Sequence, residues 1–161
     1  MKKQLKWFDF FTININYLAL TTRSQVLAPL IIPVLVQQFV GESSKGTAVG
    51  TIRLWALMAA LLAQALFGII SDQTRHKFGR RRPFIFWGSI SEVVVFIAVG
   101  ITAGAFSGMT GYAVLFALYI FSMLTSNMGH AATQGLIPDL VPDEKRGFAS
   151  GIKALFELPF P

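Results

Sequence analysis

SDQTRHKFGRRRPF, residues 71–84, places five Lys or Arg between Arg75 and Arg82, while the chain on either side is almost wholly apolar. A charged hairpin between two greasy runs is what a connection at a membrane surface looks like. The composition agrees. Of the 161 residues, 53% are hydrophobic, 15 are Phe and only 14% are charged, whereas an ordinary soluble domain carries about 25% charged residues. Mean hydropathy is +0.58. The formal charge of +6 also suits a nucleic-acid binder, whose footprint is a basic face on a soluble fold. Such a face leaves the long apolar runs unexplained, so the expected partner is a lipid bilayer and not nucleic acid. With no Cys, disulfides, metal-thiolate sites and thiol nucleophiles drop out.

A hydrocarbon core of about 30 Å needs about 20 apolar residues in a helix. Runs at about 10–40, 49–71, 84–106 and 111–136 satisfy this, and a fifth opens near Gly147. The expected fold class is therefore all-α, a polytopic bundle of membrane helices. Lys2, Lys3 and Lys6 resemble the charged start of a signal peptide, but the run behind them is too long and holds Arg23.

Lys and Arg accumulate in short loops on the cytoplasmic side. Three lie at the N-terminus, five between Arg75 and Arg82, and two, Lys145 and Arg146, precede the fifth run; the opposite loops carry only Lys45. The expected N-terminus is inside, in a multi-pass protein of the cell (inner) membrane.

Topology does not explain the order of the other residues around the hairpin. Gly68 permits close approach of another helix. Gly79 permits a turn closed to other residues, and Pro83 is tolerated in a helix's first turn. Asp72 opposes the dipole at the end of its own helix, so a partner is expected for it, among the arginines or at another helix N-terminus.

G-x-x-x-D from Gly68 to Asp72, followed by G-R-R-R from Gly79 to Arg82, resembles the signature loop between helices two and three of the major facilitator superfamily. The wider form, S-D, six residues, then G-R-R-R-P-F, is similar to that of its glycoside and sucrose cation symporters. IPDLVPDEKRGFASG, residues 137–151, resembles the family's segment between helices four and five. Gln73 departs from the pattern, which usually has a basic residue there.

The resemblance implies part of the N-terminal six-helix half of a twelve-span transporter, hence an N-terminal fragment whose remainder is a missing partner. It implies ion-coupled uptake of a small solute, a sugar or glycoside, by alternating access. Gly68, Asp72, Gly79, Arg80, Arg81 and Arg82 would form a cytoplasmic latch that breaks and reforms. Symporters of the melibiose type bind sodium through carboxylates on helix two. Residues 49–71 contain none, so between sodium and a proton the proton is favoured as the coupling ion. A facilitator for another solute, and a non-transporting membrane assembly factor, are the alternatives. No enzyme motif, cofactor motif or metal-ligand cluster is present in the sequence.

Ionisable groups within spans are functional candidates by default. Glu92 lies roughly 12 Å from the inner end of its span and Arg23 roughly 20 Å from that of the first, within reach of a long side chain. One reading makes Glu92 the coupling carboxylate with Arg23 its partner or a substrate ligand; the other is a static pair fixing two helices. Arg53, near the outer end of the second run, is expected to snorkel to the headgroups. On the first helix Asn14, Tyr17, Thr21, Ser24 and Gln25 share about a quarter to a third of the circumference, with Asn16 and Arg23 opposite. Such a stripe lines a sugar pathway or bonds neighbouring helices. In the fourth run Ser126, His130, Thr133 and Gln134 follow helical spacing and Asn127 adds a further polar candidate; His130 is a proton carrier or a structural group with no carboxylate evident nearby. Lys153 and Glu157 form an i, i+4 pair, with Pro159 suggesting a break beyond. Pro29 and Pro33 should bend the outer half of the first helix.

Overall fold

The computed structural model describes residues 7–158, and over these the chain is all-α. The N-terminal lysines and Pro159 lie outside the described residues. The helices are α1 (Trp7–Val26), α2 (Ile32–Val40), α3 (Glu42–Gln73), α4 (Arg82–Ala105), α5 (Gly108–Gln134), α6 (Leu136–Leu140) and α7 (Arg146–Glu157). Four helical stretches, Trp7–Val40, Glu42–Gln73, Arg82–Ala105 and Gly108–Leu140, are long and apolar enough to cross a membrane. Their outer faces are correspondingly greasy: Leu57, Leu61 and Leu66 on α3 and Trp87, Val93 and Ile97 on α4 are all more than half exposed.

α1 and α2 are one rod with a defect. Between them Leu27–Ile31 is π-helical, with the Ile32 amide donating to the Leu27 carbonyl five residues back. In that register the next donor belongs to residue 33, a proline, which leaves the Ala28 carbonyl without its helical partner. Arg53 of α3 supplies one, donating from Nη2 at 3.1 Å. Arg53, expected to reach for the headgroups, thus turns to the π-helical segment. Satisfying a freed carbonyl from a neighbouring helix is the condition on which such interruptions survive in lipid.

The 41–48 segment, read from the sequence as a loop, is mostly helix. Gly41 alone, at φ 79°, reverses the chain, and α3 begins at Glu42. The polar first turns of α3 thereby extend the helix beyond its apolar stretch, where Lys45 donates to Gln37 Oε1 at 2.8 Å.

α5 packs on both α3 and α4, and α1 packs on α7 and α5. In lipid there is little hydrophobic gain in pressing two helices together, so close packing depends on small residues. Ala56, Ala59 and Ala63 line the buried face of α3. Gly88 of α4 is tighter still: a Cβ there would stand 2.9 Å from the Thr125 carbonyl oxygen and 3.2 Å from Gly129 Cα. Gly68 behaves differently. A Cβ on it would meet nothing within 4 Å, so the helix approach expected of it is absent among the described residues.

Two apolar clusters bracket the molecule. One joins Leu27, Val36, Ile52, Val99, Leu115 and Tyr119, and the other joins Phe10, Ile137, Val141, Ala149 and Ile152. Between them α1 and α5 bury polar residues, Asn14 on α1 and Ser122, Thr125, Ser126 and Thr133 on α5, and the candidate site lies in that layer.

Gly88→Val should lower stability by about 1–3 kcal/mol through overpacking, whereas Gly100→Ala, with open space around its Cβ, should be neutral or slightly stabilising. Thermal unfolding of the detergent-solubilised variants checks this; equal Tm for both would contradict the α4–α5 approach.

Candidate functional site

Arg23 of α1 and Glu92 of α4 meet in the polar layer. Nε of Arg23 stands 2.6 Å from Glu92 Oε2, with both side chains about nine-tenths buried (10% and 12% exposed). That approach lies off the N–H axis and is an ion pair without a hydrogen bond. The directional bond runs through Ser122 of α5: Arg23 Nη2 donates to Ser122 Oγ at 2.7 Å, and that hydroxyl donates to Glu92 at 3.1 Å. Thr125 Oγ1 donates to Glu92 Oε1 at 3.0 Å. A carboxylate holding a guanidinium and two hydroxyls is well compensated. Breaking such a buried pair from one side typically costs about 3–5 kcal/mol.

Arg23, with Leu20 and Ser126, lines two cavities. One, of ≈ 250 Å³, is bounded by Asn16, Arg23, Gly88, Glu92 and Phe96. The other, of ≈ 240 Å³, is lined by Tyr17, Thr21, Ser24, Asn127, His130 and Glu157, with Arg23 and Ser126 at its edge. The structure therefore brings part of the α1 stripe to the polar residues of α5. Tyr17 stacks edge-on to His130 with ring centroids 5.9 Å apart, and Lys153 Nζ sits 4.7 Å above the Tyr17 ring. Lys153 and Glu157 pair at 3.4 Å. His130, read from the sequence as remote from any carboxylate, shares its cavity with Glu157.

The remaining candidates disperse. Asn14 is buried and binds α1 to α7, donating to the carbonyls of Phe10 at 2.8 Å and Ala149 at 3.3 Å. Gln25 is exposed. Gln134 lies at the exposed end of α5, its Nε2 3.1 Å from His130 Nε2. Asn127 stays on the polar cavity while donating to the Met123 carbonyl at 2.8 Å. Asn16, on the opposite face of α1, donates to Thr133 at 2.8 Å.

The hairpin between α3 and α4 is a second centre. Gly79 takes φ 98°, the left-handed region in which glycine is at ease. Pro83 sits in the first turn of α4. Arg81, 9% exposed, pairs with Asp72 at 2.6 Å and with Asp139 at 2.5 Å. It also donates to Ser71 at 3.3 Å. Arg80 pairs with Asp139 as well. Hydrogen bonding to Asp139, followed by that residue's charge, raises the Arg80 pKa further above its ordinary high value; desolvation opposes this and Asp72 adds to it. Arg82 points to the surface. Asp72 has its partner, and α6 supplies the second acidic anchor, Asp139.

Sequence reasoning did not single out Asp139, Ser122 or Thr125. Asp139 sits in the segment 137–151 whose pattern was recognised as a whole. The two hydroxyls lie three residues apart on α5, a spacing common to any helix, and only the register of α5 against α4 marks them.

Gly135 makes room for the Arg81 ion pairs, because a Cβ there would fall 1.8 Å from Arg81 Cζ. Gly135→Ala should displace the guanidinium and cost about 1.5–3 kcal/mol, as Arg81→Ala should, with the double variant no worse than either. Asp72→Asn should cost less than about 1 kcal/mol, since that carboxylate is 56% exposed. Thermal unfolding decides, and fully additive losses would break the link between Gly135 and Arg81.

A family model described as Major Facilitator Superfamily matches residues 10–157. No curated protein and no solved structure matches the chain. With the match running from the first turn of α1 to the end of α7, this multi-pass membrane chain belongs to the major facilitator superfamily, a family of transporters of small solutes.

Proposed function

We propose that the protein is a secondary active transporter in which proton movement through Glu92 is coupled to uptake of a sugar or glycoside by alternating access. The observation that carries this reading is the position of Arg23, which pairs with Glu92 and also borders the polar cavity. Protonation of Glu92 cancels the partner charge of Arg23. The guanidinium then turns to the remaining acceptors, the hydroxyls and Glu157 of that cavity, so occupancy of one site alters the other. A proton is favoured over sodium because α3 has no carboxylate between residues 49 and 71.

The lining of the polar cavity supports a hydroxyl-rich solute. Tyr17, Thr21, Ser24, Ser126 and Asn127 present hydroxyl and amide groups. The Tyr17 hydroxyl is buried without a hydrogen-bond partner. An orphaned buried hydroxyl costs about 1–3 kcal/mol, a penalty relieved when a solute hydroxyl or water enters. On this reading Arg80, Arg81, Asp72 and Asp139 hold the basic end of the bundle in one conformation and release it in the other. The basic hairpin faces the cytoplasm, as the distribution of Lys and Arg favours.

In proteoliposomes of the full-length protein, Glu92→Gln should reduce proton-driven accumulation of the transported sugar by a factor within the about 5- to 150-fold range of ordinary coupling free energies, while counterflow exchange persists. Unchanged accumulation removes Glu92 from the coupling path. Orientation is tested separately by cysteine labelling, residues 1–161 holding no Cys of their own. Met109→Cys should react with a membrane-impermeant maleimide applied to intact cells and Lys77→Cys should not; the reverse labelling inverts the topology.

A further inference from the structure

We propose that the basic hairpin carries a binding site for the phosphate headgroup of an anionic phospholipid, seated between Arg80 and Arg82. A cavity of ≈ 320 Å³ opens here, lined by Arg80, Arg81, Arg82 and Asp139 together with the apolar Leu136 and Leu140. Its three arginines do not stand alike. Arg81 is committed to Asp72, Asp139 and Ser71. Arg80 shares Asp139 but remains 44% exposed. Arg82 is exposed and, among the described residues, has no carboxylate within ion-pair distance. Three guanidinium groups against Asp72 and Asp139 leave one uncompensated positive charge, matching the single charge of a phosphodiester. Planar guanidinium forks suit phosphate oxygens.

The apolar half of the cavity indicates a lipid and not a soluble phosphate. Leu140 is 47% exposed, and on α4, directly past the arginines, Phe86 and Trp87 are each 60% exposed. Phe78 in the hairpin is 63% exposed, with Lys77 Nζ 5.1 Å from its ring centroid. Aromatic side chains with one apolar face and nearby cations are the residues that settle at headgroup depth. A cationic rim above an apolar floor recognises an amphiphile with an anionic head, which the adjoining leaflet supplies. A phosphate bound there competes with Asp139 for Arg80 and leaves the Arg81 pairs in place, so lipid composition tunes one strand of the latch. This site is independent of the proposed coupling role of Glu92.

The test equilibrates the full-length protein in mixed micelles with equimolar phosphatidylglycerol and phosphatidylcholine, repurifies it and quantifies the bound lipid. Phosphatidylglycerol should exceed phosphatidylcholine by about fivefold or more, the factor corresponding to about one basic contact, and high salt should erode the excess. Arg82→Gln should remove most of it and Arg82→Lys should restore part. Arg75→Gln and Lys77→Gln, outside the cavity, should change it by less than about twofold because their exposed charges are largely screened. A ratio near one in the unmodified protein overturns the site. Equal losses in all three Gln variants replace it with diffuse adsorption, and displacement by glycerol 3-phosphate as readily as by phosphatidylglycerol replaces the lipid with a soluble phosphate.

Discussion

Hydrocarbon offers no partner to a charge or a hydrogen-bonding group, and much of this molecule's arrangement follows from where its polar side chains find one another. Arg23 and Glu92 lie on different helices and are joined through Ser122, a residue of a third. That requirement fixes the rotation of α1, α4 and α5 together: turning any of them by one residue, about 100°, would carry its polar group into lipid or an apolar cluster. The small residues around the contact make the distance attainable. Gly88 against Gly129 brings α4 and α5 close enough for Ser122 and Thr125 to reach the carboxylate.

The same rule operates at the two ends. At the π-helical segment after Val26 a proline removes a donor and Arg53 from α3 replaces it. At the hairpin, Asp72 ends α3 against its own helix dipole, and Arg81 compensates it while also holding Asp139. Each arginine buried or turned inward answers a specific deficit of acceptors or donors. Arg82, which answers none within the chain, is left at the surface.

How much of this was legible in the sequence depended on range. Apolar runs report on lipid contact residue by residue, so the four long helices and the all-α class could be read directly. Turn chemistry is also local, and Gly79 and Pro83 announce the hairpin. Gly41 did not, because the polar residues after it, Glu42 to Lys45, read equally well as a loop or as the exposed first turn of a helix. Pairing of Arg23 with Glu92 followed from depth along two helices. Rotation about the helix axes did not: the α1 stripe splits, with Asn14 tied to α7, Tyr17 and Thr21 on a cavity and Gln25 at the surface. Ser122, Thr125 and Asp139 acquire meaning only from α5 and α6 lying against α4 and its hairpin, a tertiary fact with no local signal. Gly68 marks the opposite case, a recognisable motif residue beside which the described residues leave open space.

The turn at Gly41 has a mechanical consequence. A single glycine joins α2 to α3, and the Lys45–Gln37 bond ties the two rods together just beside it. Freedom at that joint is confined to the two dihedrals of Gly41, the residue type with the widest choice of them. A side chain placed at this position would have to hold the left-handed conformation that the connection demands, so the shortness of the turn makes the identity of one residue decisive for how two spanning helices meet.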